Sequence, residues 1–157
     1  MAELGEGARH SVVERALEAA FPNLTGTKYE ITSAATEAYN CIAWAAAATD
    51  RWWWPDSLGD EYWPEASPRL ATISAFSLAF QDLGYLPCTN AALEPGYERI
   101  AIYAREDGTP THAARQLPTG QWTSKLGARE DIVHETPESL AGTIYGDVVL
   151  ILRRQLS

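Results

Sequence analysis

Arg99–Arg105 (RIAIYAR) is an apolar run of strand length, Asp107-Gly108 follows it, and Thr111–Leu117 returns in extended character. Asp-Gly between two such runs is the strongest short-range signal for a hairpin and predicts a type I′ turn. This feature commits the second half of the chain to an antiparallel sheet. It also sets a register in which His112 faces Tyr103 across the hairpin. Pro118-Thr119-Gly120 turns the chain again, and Gln121–Leu126 makes a third strand. Thr136-Pro137-Glu138 opens a short helix, and the apolar run Asp147–Arg154 is a last strand in a central position.

The first half has helical period. Val12, Val13, Ala16, Leu17 and Ala20 recur at helical spacing from about Arg9, and Phe21-Pro22-Asn23 ends the helix. Leu24–Ala38 reads as a connection with one short extended piece. Asn40 is a good N-cap for a second helix reaching about Thr49; Ile42, Ala43, Trp44 and Ala45–Ala48 leave it no polar face, as in a buried central helix. Ser67 and Pro68 open a third helix with the stripe Leu70, Ile73, Phe76, Phe80 and Leu83, which Gly84 stops. Helices followed by a meander of about four strands predict an α+β fold.

The 157 residues fit a single domain, 1–157, with residues 1–38 as a helical N-terminal extension and 39–157 as the core. The net charge of -9 disfavours phosphate backbones, so nucleic acid is not an expected partner. The most apolar stretch, Cys41–Ala48, is far short of the roughly 20 residues of a membrane span, and Met1–Gly7 shows no secretory leader. No membrane association is expected. Two cysteines, Cys41 and Cys88, make no disulfide framework, and the cytoplasm is the expected compartment.

Cys41 is the first candidate for chemistry. At the head of a buried helix, unpaired N–H groups and the helix dipole lower a thiol pKa and favour the thiolate nucleophile; otherwise Cys41 is a small buried hydrophobe. His112 is the second, because thiol catalysis needs a base within hydrogen-bond reach. The backbone N–H of Cys41, with the amide of Asn40 or Gln116, would hold an oxyanion. Five of the six tryptophans lie between Trp44 and Trp63. Trp52, Trp53, Trp54, Tyr62 and Trp63 either line a groove for a peptide, sugar or acyl chain, with Trp53, Trp54 and Trp63 as the binding candidates, or pack the loop onto the domain. Cys41, Cys88, His112 and His134 are residue types that zinc accepts, but their scatter predicts no metal site.

A cysteine heading a helix, followed about 70 residues later by a histidine on an antiparallel sheet, resembles the layout of papain-like thiol hydrolases. The segments Tyr39-Asn40-Cys41-Ile42-Ala43-Trp44, Ile100-Ala101-Ile102-Tyr103 and Thr111-His112 carry a likeness to the NlpC-type small bacterial members. The Asn-Cys-Ile-Ala-Trp-Ala and Thr-His-Ala-Ala-Arg-Gln phrases also resemble those of uncharacterised small bacterial proteins. The resemblance implies a papain-like fold in which the Cys41 helix packs on the sheet. It implies Cys41 as nucleophile, His112 as base and then acid, and a third group from the sheet that orients His112. Asp131 is the expected third group, with His134 and then Ser124 as alternatives. The implied activity is thiol-dependent hydrolysis or acyl transfer on an amide, isopeptide or thioester bond of a peptide or protein substrate, without a cofactor. The alternative is a non-catalytic peptide- or protein-binding domain that uses the tryptophan-rich loop.

Overall fold

The computed structural model describes residues 6–156, with side chains from residue 12; Met1–Gly5, most of the Met1–Gly7 segment read for a leader, lie outside the described residues. Its strands are β1 (Tyr29–Ser33), β2 (Leu86–Cys88), β3 (Tyr97–Ala104), β4 (Pro110–Gln116), β5 (Trp122–Lys125), β6 (Asp131–His134) and β7 (Asp147–Gln155). They form one sheet in the order β1-β6-β5-β4-β3-β7-β2, and every neighbouring pair is antiparallel. Its helices are α1 (Glu6–Ala20), α2 (Cys41–Ala45) and α3 (Ile73–Gln81), with 3-10 turns at Pro22–Leu24 and Pro137–Leu140.

This architecture corrects the papain-like α+β expectation. The sheet has seven strands rather than about four, and the helix that begins at Cys41 has five residues rather than the nine or so of a central helix. The additional strands β1, β2 and β6 are three to five residues long, too short to show a period in sequence. β1 is a short extended piece within Leu24–Ala38, as expected, but it joins the sheet as an edge paired with β6 rather than standing in an extension outside the core.

Alternation along the strands sorts side chains onto two faces. Ile100, Ile102, Ala113 and Leu152 face α2, α3 and the tryptophan loop in one core. Ala101, Tyr103, Ala114, Trp122 and Ile132 face Leu17, Phe21, Leu24 and Leu140 in the other. The hairpin register holds, with Tyr103 opposite His112. Its turn differs from type I′, which needs positive φ at both central residues. Only Gly108 has a left-handed φ, +88°, its N–H donates to the Arg105 carbonyl, and the register shifts between Tyr103 and Ala104.

α2 is short because both ends are tied down. Asn40 is extended, and its Oδ1 accepts from the Ala43 N–H (3.2 Å). The same side chain clamps the loop beyond the helix: Oδ1 accepts from the Trp53 N–H (3.0 Å), and Nδ2 donates to the Trp53 carbonyl (2.8 Å). To return there the chain must leave the helix early. It closes with Ala48 N–H on the Ala43 carbonyl and Ala47 N–H on the Trp44 carbonyl, which puts Ala47 at φ +63°. The helix propensity of the alanine run yields to this tertiary clamp.

Candidate functional site

A cleft of about 340 Å3 opens where the start of α2 meets β4 and the turn before β7. Asn40 and Cys41 line it together with Trp52, Trp54, Thr111, Gly127 and Tyr145. Cys41 is 6% exposed, and burial pushes its thiol up to about 11, against the backbone N–H groups of Ala113, Ile42 and Cys41 itself, which favour the thiolate. Burial thus works against the lowered thiol pKa expected from the head of a helix. A helix of five residues contributes little macrodipole, and the apolar surroundings dominate.

β4 and β5 are paired only at Arg115–Thr123 and Gln116–Trp122. Beyond those pairs the two strands run without pairing, and there Ala113 packs in one core with Cys41. The side chain of Ala113 belongs to the Cys41 core, so alternation turns His112 to the other face. The His112 ring is fully buried against Tyr103 and stacks on Tyr145 with centroids 4.1 Å apart and planes within 6°. Tyr145 thus touches both His112 and the cleft that holds Cys41.

His112 heads a chain of neutral groups. Its Nε2 lies 3.0 Å from Ser124 Oγ, Ser124 Oγ lies 2.8 Å from His134 Nε2, and His134 Nδ1 lies 2.8 Å from the Thr136 carbonyl. A carbonyl only accepts, so His134 Nδ1 carries its proton. Burial lowers the His134 pKa to about 4, so at neutral pH its Nε2 is bare and accepts from the Ser124 hydroxyl. Ser124 Oγ then accepts from the Nε2–H of His112. Burial first, and the neighbouring His134 second, hold the His112 pKa well below the ordinary histidine value. The ring is neutral, and its bare Nδ1 is buried with no hydrogen-bond partner. No hydrogen bond joins His112 to Cys41.

The third group is not Asp131. Its carboxylate accepts from the Tyr39 hydroxyl (2.8 Å) and the Thr32 hydroxyl (2.7 Å) and does not contact His112. Asp131 stands opposite Lys125, on the face that alternation turns away from Ser124 and His134. Gln116 is also displaced from the site: its Nε2 donates to the Ala91 carbonyl (3.0 Å). Asn40 lines the cleft, but as helix cap and loop clamp its amide is engaged by Trp53. Trp53 and Trp63 are buried core residues, packed on Tyr62 and Phe76 respectively, whereas Trp54 meets Phe76 edge-on and lines the cleft beside Trp52. Among the described residues, no three of His, Cys, Asp and Glu converge as metal ligands. No described helix is long and apolar enough to cross a membrane.

Residues 30–153 match a family described as a domain of unknown function (DUF7689). The chain belongs to this family. The family match runs from within β1 to within β7, so it takes in the cleft and the whole His112–Thr136 chain and leaves α1 outside. No curated protein and no solved structure matches the chain. Within the family match, Thr111, Gly127 and Tyr145 line the cleft beyond what sequence reasoning finds, whereas Trp52 belongs to the tryptophan cluster that it offers as a groove. The one local signal is Gly146 after Tyr145. A Cβ there would lie 2.1 Å from the Ala104 carbonyl oxygen, so glycine marks a close backbone approach that fixes the tyrosine.

Proposed function

We propose that this protein carries out thiol-dependent acyl transfer or hydrolysis at Cys41, with His112 as the base and Ser124 and His134 as the groups that hold it. The observation that carries this reading is the bare, buried Nδ1 of His112 at the end of a chain that fixes its tautomer. A histidine that serves packing alone gains nothing from an unsatisfied ring nitrogen, which costs about 1–3 kcal/mol. Further support comes from Cys41 and Ala113, the residue directly after His112, which share one core. Catalytic hydrogen bonds are often long before substrate binds.

In this reading the Cys41 sulfur forms a bond to the substrate carbonyl carbon, and its proton passes to His112 Nδ1 once the Tyr145 ring that partitions the two has swung aside. The tetrahedral intermediate expels the leaving group, which takes that proton. Water, or another nucleophile, then attacks the thioester with His112 as base and returns the thiol. Thiol and imidazole are both neutral at rest, so proton transfer accompanies attack rather than preceding it.

The test is reaction with p-nitrophenyl hexanoate in a Cys88→Ser background, followed by intact mass and product release. The expected result is a hexanoyl adduct on Cys41 that turns over, with turnover lost in Cys41→Ala and reduced at least about a hundredfold in Ser124→Ala. An adduct that never turns over, or turnover indifferent to Cys41→Ala, contradicts the reading. A binding role for the same cleft is favoured by one observation, the thiol held up at about 11; it predicts no turnover and iodoacetamide labelling of Cys41 that rises only above about pH 9.

A further inference from the structure

We infer that the cleft at Cys41 takes an uncharged, largely apolar acyl group rather than a charged side chain. The inference rests on the acyl-transfer reading above and deepens it by naming the substrate class. The chain has 12 basic and 21 acidic residues, yet no Asp, Glu, Lys, Arg or His lines the cleft. Cations nearby are turned elsewhere. The Arg51 guanidinium lies 3.7 Å over the Tyr62 ring, and the Lys125 ammonium donates to the Thr36 and Gly127 carbonyls at 2.8 and 2.5 Å.

The side chains of Asn40 and Thr111 in the wall are engaged as well. The Asn40 amide is held by Trp53 and Ala43, and the Thr111 hydroxyl donates to the Tyr145 carbonyl at 2.5 Å. What remains toward the ligand is the rings of Trp52, Trp54 and Tyr145. Their indole N–H groups and the Tyr145 hydroxyl can meet a neutral carbonyl, but a charge entering this space loses its hydration with no opposite charge to pair with. The volume of about 340 Å3 is at the small end for ligand clefts. It fits one short chain or ring better than a folded surface.

The experiment uses the Cys41→Ala protein, which cannot be acylated at that position, and three probes of one length: hexanamide, 6-aminohexanamide and the monoamide of adipic acid. Binding is read from the fluorescence of the cleft tryptophans and from thermal stabilisation. In the unsubstituted protein, hexanamide is tested for protection of Cys41 against iodoacetamide, with Cys88 as control. The expected result is saturable binding of hexanamide, at least about tenfold weaker binding of both charged probes, and protection of Cys41 alone. Equal binding of the charged probes, no binding of hexanamide, or binding that leaves Cys41 unprotected overturns the inference. Hexanamide binding with no acyl turnover removes the catalytic reading alone, and acylation of Cys41 without hexanamide binding removes this inference alone.

Discussion

His112 and Tyr145 stack face to face, with ring centroids 4.1 Å apart and planes 6° from parallel. One ring comes from the middle strand of the sheet and the other from the turn before β7. Tyr145 therefore forms the partition between the buried histidine and the cleft. Replacing it with alanine removes the partition and leaves a cavity beside His112; the expected loss is about 3 kcal/mol or more by urea denaturation. Tyr145→Phe keeps the stack and should stay within about 1 kcal/mol of the unsubstituted protein. A Tyr145→Ala protein as stable as Tyr145→Phe would show that the stack does not support the fold.

Stability should fall with mild acid. His134 has its pKa lowered by burial to about 4, against 6.5 in the unfolded chain. Between these values the unfolded chain binds the extra proton, so the contribution is complete above about pH 7 and is lost as pH falls through 6.5 toward 4. From pH 7 to 5, His134 alone should remove about 2 kcal/mol, and His112, lowered for the same reason, adds to the loss. Denaturant unfolding at both pH values measures it. A flat profile would mean that the histidines are not buried as neutral groups.

Asn40 is expected to matter for stability as much as for the cleft. Its side chain makes one bond to the helix it caps and two to the Trp53 backbone. Asn40→Ala should cost about 2 to 3 kcal/mol by chemical denaturation and loosen the tryptophan loop, seen as faster amide exchange at Trp53. A loss below about 0.5 kcal/mol would argue that water replaces the clamp.

Ala47 should be improvable. It is exposed and holds φ at +63°, where a Cβ costs about 1–2 kcal/mol. Ala47→Gly is expected to raise stability by about 1 kcal/mol, measured as a higher denaturation midpoint with unchanged slope. Destabilisation would mean that the helix closes differently in solution.

What the sequence made legible follows from how local each signal is. The Asp107-Gly108 pair and its flanking strands specify the hairpin, so the Tyr103–His112 register was readable, although the turn conformation was not. α3 was readable from its apolar stripe. Its start was not, because Thr72 rather than Ser67 caps it, while Ser67 Oγ donates to the Ala75 carbonyl. α2 was over-extended, since nothing local announces that Asn40 also holds Trp53. At the site, Cys41 and His112 stood out by residue type, as did Ser124 and His134 among the alternatives. By residue type alone Asp131 is the better anion. Alternation along β6 decides against it: one residue position is the difference between the face of Tyr39 and the face of His112.

The most direct measurement is the tautomeric state of the two buried histidines by long-range 1H–15N NMR at neutral pH. The account predicts a neutral His112 protonated at Nε2 with a bare Nδ1, and a neutral His134 protonated at Nδ1. Ser124→Ala should release the His112 preference while leaving His134 Nδ1 on the Thr136 carbonyl. An imidazolium at His112, or a proton on its Nδ1, would contradict the account, because the nitrogen assigned to the Cys41 proton would already be occupied.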